Sequence, residues 1–261
     1  MHAPVADIEA VRQGTRKVLR TVADLTDEQA GAQSRLPGWT RAEVLTHLAR
    51  NADGVRGIAE AAARGEVGMQ YPGGAEQRGA EIAAGRGARS ASLLADLRRS
   101  CDALMEAWHH LGDDAWERTG RSLTGERTQR NWIWSRWREV EVHHLDLGLG
   151  YSPAEWPVGF VTRGLDDAFA DLPARTKRNR LPVDADFRIE ATDHDRAWSV
   201  HVRDPEIVVE RDDRAAAVDG TVTGWGCDVL AWLYGRDPSG AGLTASGDLS
   251  GLRLPEWFPF T

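Results

Sequence analysis

Apolar positions recur three and four apart through the first 150 residues, whereas much of the remainder alternates apolar and polar positions. Val5, Ile8, Val11, Val18, Leu19, Val22 and Leu25 follow a helical period with charges between them, which predicts a first amphipathic helix. Leu36-Pro-Gly-Trp39-Thr40 supplies a turn. Thr40 with Glu43 three residues on makes a capping box, so a second helix starts at Arg41 with Val44, Leu45, Leu48, Val55 and Ile58 as its stripe. Met69 to Arg78 is rich in Gly and Pro and reads as a connection. Glu81 to Leu111 then carries Leu93, Leu94, Leu97, Cys101, Leu104, Met105 and Trp108 on a third stripe, broken near Gly85 to Gly87 and ending in solvent-facing His109 and His110. A fourth helix runs from Trp132 and ends near Gly148 to Gly150, dense in aromatic and aliphatic residues with no internal breaker. Four such elements suit a helical bundle.

Beyond Tyr151 the period changes. Pro157 to Leu172 reads as a helix, but Phe187-Arg-Ile-Glu, Trp198-Ser-Val-His-Val-Arg and Ile207-Val-Val-Glu alternate as strands do. Gly220 to Gly224 reads as a further strand leading into a helix from Trp225 to Gly235, and Thr244 to Leu249 as a last strand or turn. The second half is therefore α+β, with an antiparallel sheet as the default.

Candidate chemistry gathers on the fourth helix. Glu139, His143 and Asp146 fall on one stripe, because side chains three and four apart stack on one helical face. Glu-x-x-x-His presents an oxygen and a nitrogen ligand from one rigid element, as a first-row metal requires. Glu141 with His144 is an internal rival on another face, which Trp134 and Trp137 also make apolar, and periodicity leaves the two open. His47 lies on the stripe of the second helix; beside Glu139 and His143 it would complete a set of two histidines and one carboxylate, leaving a coordination position for catalysis. The loop from Met69 is a candidate substrate-contacting rim. Arg236 lies just past Gly235 at the end of the Trp225–Gly235 helix, where it either complements the helix terminus or offers a planar fork to a carboxylate.

The net charge of −8 and pI near 5.5 exclude the basic face that nucleic acid or an anionic membrane demands; small molecules are the expected partners. Cys101 and Cys227 are too few and too distant for a disulfide framework. There is no apolar run of membrane-spanning length and no secretory h-region at the start, so the chain reads as cytoplasmic. Neither a glycine-rich nucleotide loop nor a serine-nucleophile motif occurs.

With these residues in place, the chain resembles the mycothiol-dependent maleylpyruvate isomerase family. The matching stretches are Pro37 to His47, Met69-Gln-Tyr-Pro-Gly-Gly with Arg78, Trp134 to Gly148, Trp232 to Arg236, and Leu254-Pro-Glu-Trp257. The resemblance implies a DinB-like four-helix bundle with a metal site over residues 1–152, followed by a smaller α+β domain similar to sterol carrier proteins over residues 153–261. It implies a divalent metal, usually zinc, on His47, Glu139 and His143, which chooses against Glu141 and His144. It also implies mycothiol as cofactor with Tyr71 and Arg78 as its candidate contacts, and a catalytic arginine at Arg236. The reaction implied is isomerisation of maleylpyruvate to fumarylpyruvate in gentisate breakdown, by a monomer or small homo-oligomer. Two alternatives stand beside it: a mycothiol S-transferase acting on other electrophiles, and a non-catalytic metal-containing binding protein in which Asp146 supplies a fourth ligand.

Overall fold

The structure is a computed structural model that describes residues 3–176, 184–203, 206–211, 217–237, 240–249 and 252; Leu254 to Trp257, the last stretch of the family resemblance, lie outside them. The chain forms two compact units that divide between Tyr151 and Ser152. None of the described helices is long and apolar enough to cross a membrane.

The first unit contains α1 (Val5–Thr21), α2 (Asp27–Gly31), α3 (Arg41–Ala63), α4 (Gly74–Ala83), α5 (Ser90–His109) and α6 (Gln129–Asp146), with a hairpin of β1 (Thr119–Ser122) and β2 (Gly125–Thr128). The four long helices make the bundle: α3 packs on α5 and α6, and α1 packs on α6 and α5. The start of α3 is fixed by its sequence. Thr40 Oγ1 accepts from the Glu43 amide at 3.3 Å, and Glu43 Oε2 accepts from the Thr40 amide at 2.9 Å, satisfying two amides that the helix end leaves without partners. At the other end of the site helix, Gly148 follows α6 with φ 65°, a conformation that stops a helix and that glycine adopts without strain. Val44, Leu45, Leu48, Leu97, Leu104, Trp108, Trp132 and Ile133 are almost fully buried between the helices. Burial of each such side chain contributes about 1.5–3 kcal/mol relative to exposure.

Two local expectations change. Residues 74–78, read as part of a connection, already belong to α4, because Gly73 and Gly74 end the turn and no breaker follows until Gly79, which the helix tolerates. The β1–β2 hairpin has no counterpart in the sequence reading, since Thr-Gly-Arg-Ser and Gly-Glu-Arg-Thr lack the apolar alternation that announces a strand.

The second unit contains α7 (Val158–Thr176), β3 (Ala185–Ala191), β4 (Arg196–Arg203), β5 (Glu206–Arg211), β6 (Gly220–Gly224), α8 (Gly226–Leu233) and β7 (Leu243–Gly247). The sheet order is β5-β4-β3-β6-β7. Phe187, Ile189 and Ala191 alternate into the core and pair across to Val200, Trp198 and Arg196; Phe169 of α7 stacks on Trp198 at 4.2 Å. The sheet is mixed rather than antiparallel throughout, because β6 pairs parallel to β3. β4 already occupies one edge of β3, so the returning chain takes the other edge in the same direction. Bundle followed by α+β unit is the order of elements the hydrophobic periods predict.

Candidate metal centre

His47 stands in the second turn of α3, and Glu139 and His143 stand one turn apart on α6, so the packing of these two helices brings the three together. Nε2 of His47 lies 2.8 Å from Glu139 Oε2, and Nε2 of His143 lies 3.2 Å from the same oxygen. The two imidazoles meet edge to face with ring centres 4.6 Å apart, and Trp39 stands edge-on to His47 at 5.7 Å. Both histidines are 2% exposed, while the Glu139 side chain keeps 20% of its surface.

Burial drives the His47 pKa down to about 4, against the opposing pull of Glu139, so its ring is neutral near pH 7. For Glu139, burial works to raise the pKa, but hydrogen bonds from His143 and His47 override it and hold the carboxyl well below the usual range. For His143, burial works to lower the pKa, but the Asp146 and Glu139 carboxylates outweigh it and the net shift is upward. The cluster thus offers one anionic oxygen, the neutral His47 ring and the His143 ring, whose Nε2 would lose its proton to an ion. One ligand atom from each lies within 4.8 Å of the others, the grouping of this kind that the described residues assemble. Such hard-to-borderline donors suit zinc and its first-row neighbours, and an ion there would neutralise a carboxylate that is otherwise costly to hold beside two buried rings.

Asp146 takes a supporting place. Its Oδ2 is 2.8 Å from Nδ1 of His143, on the side of the ring away from Glu139. A carboxylate only accepts, so Nδ1 carries a proton toward Asp146 and Nε2 carries one toward Glu139; on taking an ion the ring would give up the Nε2 proton and keep the one on Nδ1. That is the arrangement of a carboxylate behind a liganding histidine, and not of a fourth ligand beside it.

The rival pair faces elsewhere. Glu141 accepts from Trp137 Nε1 at 3.1 Å and from the Tyr151 hydroxyl at 2.6 Å. His144 pairs with Thr21 Oγ1 at 2.8 Å and stacks on Tyr151 at 3.7 Å. Both look toward α1, which comes so close that a Cβ on Gly14 would stand 2.7 Å from Glu141 Oε1.

Tyr71 and Arg78 reach the metal-type cluster from α4 and the turn before it. Arg78 Nη2 is 3.4 Å from His47 Nδ1, and its guanidinium lies 5.8 Å from the centre of the Tyr71 ring. Tyr71 is buried at 8% exposure. Burial and the Glu139 charge raise its hydroxyl pKa against the pull of the Arg78 charge, so the phenol keeps its proton. Arg236 belongs to the second unit. It follows Gly235, whose φ is 67°, donates its amide to the Ala231 carbonyl at 2.8 Å, and donates Nη1 to the Tyr234 carbonyl at 3.1 Å.

Asn51 and Arg136 escape a reading by sequence alone. Arg136 is 1% exposed and donates to the Leu48 carbonyl, Asn51 Oδ1 and Cys101 Sγ at 2.9, 2.8 and 3.3 Å. Its position three residues before Glu139 places it on the same stripe of α6, which is the signal that marks it.

A family model described as the mycothiol maleylpyruvate isomerase N-terminal domain matches residues 11–148. The chain belongs to that family. Among solved structures, it is similar to the crystal structure of a mycothiol-dependent maleylpyruvate isomerase and to that of a histidine-to-alanine mutant of such an isomerase. Each match has 22% sequence identity and a TM-score of 0.74, and covers 94% of this chain and 92% of the other. At that identity the likeness establishes the fold. Among curated proteins none matches the chain.

Proposed function

We propose that this protein converts maleylpyruvate to fumarylpyruvate with mycothiol as cofactor and a zinc ion on His47, Glu139 and His143. The observation that carries the reading is the three-donor cluster where α3 meets α6, in a chain of this family. Three protein donors are a catalytic set, whereas structural zinc takes four; with Asp146 turned to the far nitrogen of His143, the set supports an enzyme over a binding protein. The solved proteins of like fold carry the name of this activity.

Cis-trans isomerisation of a conjugated double bond requires a nucleophile that adds, permits rotation and leaves. Neither cysteine is poised to supply it: Cys101 and Cys227 are buried, and burial pushes both thiols up. The nucleophile is therefore an external thiol. When bound, a divalent ion supplies the positive charge that keeps a thiol sulfur ionised near neutral pH. With an ion bound, His47 and His143 would contribute neutral nitrogens and Glu139 one negative charge, and Asp146 would hold the remaining His143 proton at Nδ1. Arg78, whose Nη2 neighbours His47, and Tyr71, whose ring lies near the Arg78 guanidinium, are the proposed contacts for the cofactor. Arg236 presents its guanidinium to a substrate carboxylate, or to the negative charge that develops when the double bond is attacked.

The test follows maleylpyruvate absorbance with zinc-loaded protein and catalytic mycothiol while free thiol is titrated. Formation of fumarylpyruvate with thiol returned supports the isomerase. Thiol consumed in proportion to another electrophile, with maleylpyruvate untouched, replaces it with an S-transferase on the same site.

A further inference from the structure

Arg136 is a cation that the proposed reaction leaves unused, and it is buried on the stripe of α6 that carries Glu139 and His143. A guanidinium taken out of water is costly, and fully buried arginines are ordinarily paired with a carboxylate. The hydrogen bonds of Arg136 run instead to neutral groups on two neighbouring helices. Nη1 donates to the Leu48 carbonyl at 2.9 Å and to Asn51 Oδ1 at 2.8 Å, both on α3, and Nη2 donates to Cys101 Sγ on α5 at 3.3 Å. Neutral acceptors offset less of the cost than a carboxylate would, so stability is a poor reason for a charge in this place.

The position of these contacts along the seam gives a better one. α3 and α6 run antiparallel there: His47 meets Glu139 at 2.8 Å, and Asn51, one turn later on α3, meets Arg136, one turn earlier on α6, at the same distance. Glu139 and His143 share one rigid helix and keep their spacing unaided. His47 comes from the other helix, and it lands beside them only if α3 neither slides nor rolls against α6. One polar contact leaves both motions open, whereas a second contact a turn away restrains them. The planar fork of arginine suits that task because its donors leave in fixed directions; here they engage Leu48, the residue after His47, together with Asn51. A first-row metal takes its nitrogen and oxygen donors at about 2.0–2.2 Å, with a tolerance of about 0.2 Å, so a small slip of α3 is enough to spoil the set.

We infer that Arg136 is a positioning residue for the metal site: held by Leu48 and Asn51, it fixes the register of α3 on α6 and so sets His47 against Glu139 and His143. The inference deepens the proposed function and rests on it, since the register matters to an ion on those three side chains.

The test separates position from stability. Arg136→Met combined with Asn51→Leu replaces the fork and its acceptor by apolar side chains of similar size, an exchange that is often neutral or stabilising for buried charged groups. The metal-free double variant is expected to melt at or above the wild-type temperature. Its zinc affinity, read by competition against a chromophoric chelator, is expected to fall about tenfold, and the visible bands of the cobalt(II)-saturated protein to shift. Asn51→Asp keeps an acceptor for the fork and is expected to keep the wild-type bands and at least the wild-type affinity. Asn51→Leu alone removes that acceptor and carries the comparison if the double variant fails to fold. Leu104→Ala, a core truncation on α5, is the control for lost stability. Wild-type affinity and bands in the double variant or, should that not fold, in Asn51→Leu overturn the assignment. So does an equal loss from Asn51→Asp, or a loss that Leu104→Ala reproduces with the same bands. A wild-type protein that takes up neither zinc nor cobalt overturns the metal site itself, and this assignment with it.

Discussion

Replacing Asp146 by asparagine removes one charge and almost nothing else from the candidate metal centre. Asp146 is 1% exposed and His143 2% exposed, with 2.8 Å between Oδ2 and Nδ1, so water has no access to compensate. The amide oxygen of asparagine still accepts from Nδ1–H, which preserves the ring orientation and the tautomer. What is lost is the anionic character that makes Nε2 a stronger donor. Removing such outer partners costs about 10–100-fold in metal affinity, or about 1.4–2.7 kcal/mol. Since the hydrogen bond survives in Asp146→Asn, its loss belongs at the tenfold end; Asp146→Ala, which leaves a buried N–H without an acceptor, belongs at the hundredfold end. Competition against a chromophoric chelator measures both. Wild-type affinity in Asp146→Asn and Asp146→Ala alike would refute the argument that this carboxylate acts through His143. Complete loss of stoichiometric binding in Asp146→Asn, on the scale seen for His143→Ala, would instead make Asp146 a ligand.

His144 bears on the pH dependence of the metal-free protein. Burial first, then Lys17 and Arg20, lower its pKa from about 6.5 unfolded to about 4 folded. The unfolded chain thus binds this proton more readily, so the stability from a neutral His144 is complete above about pH 6.5 and falls away toward pH 4. Thermal midpoints across that window are expected to fall less steeply for His144→Gln; parallel curves would remove the residue from the linkage. Gly14→Ala places a methyl 2.7 Å from Glu141 Oε1 and 3.0 Å from Val140 Cγ1, and is expected to destabilise the bundle by about 1–3 kcal/mol in urea, whereas an unchanged midpoint would mean that α1 yields freely. Arg236→Ala is expected to retain zinc and lose kcat/KM by about 10²–10³-fold, with normal turnover excluding the residue from the site.

The bundle was legible because its signals are local. Thr40 and Glu43 mark a helix start within four residues, and the stripes from Val44 to Ile58 and Leu93 to Trp108 need only a helical period. Two of the three donors of the candidate site were legible for the same reason, since Glu139 and His143 are one turn apart whatever the rest of the chain does. The choice between Glu139 with His143 and Glu141 with His144 was not, because α6 is buried nearly all round: Trp134 and Trp137 give the second face its own apolar neighbours, and only the positions of α1 and α3 show which polar pair meets which partner. The parallel pairing of β3 with β6 escaped for a similar reason, as alternation in Phe187 to Glu190 gives a strand and a buried face but no neighbour. Asn51 and Arg136 are 85 residues apart in sequence and become a pair only when α3 packs on α6.

The account stands on an ion held by His47, Glu139 and His143 with room for a thiol. Cobalt(II) substituted for zinc makes that visible through its absorption spectrum. Titration with mycothiol is expected to produce a sulfur-to-cobalt charge-transfer band that saturates at one equivalent and is absent from His47→Ala and Glu139→Ala, which fail to retain the ion. A spectrum of bound cobalt that mycothiol leaves unchanged, or a band that persists without His47 and Glu139, would contradict the assignment.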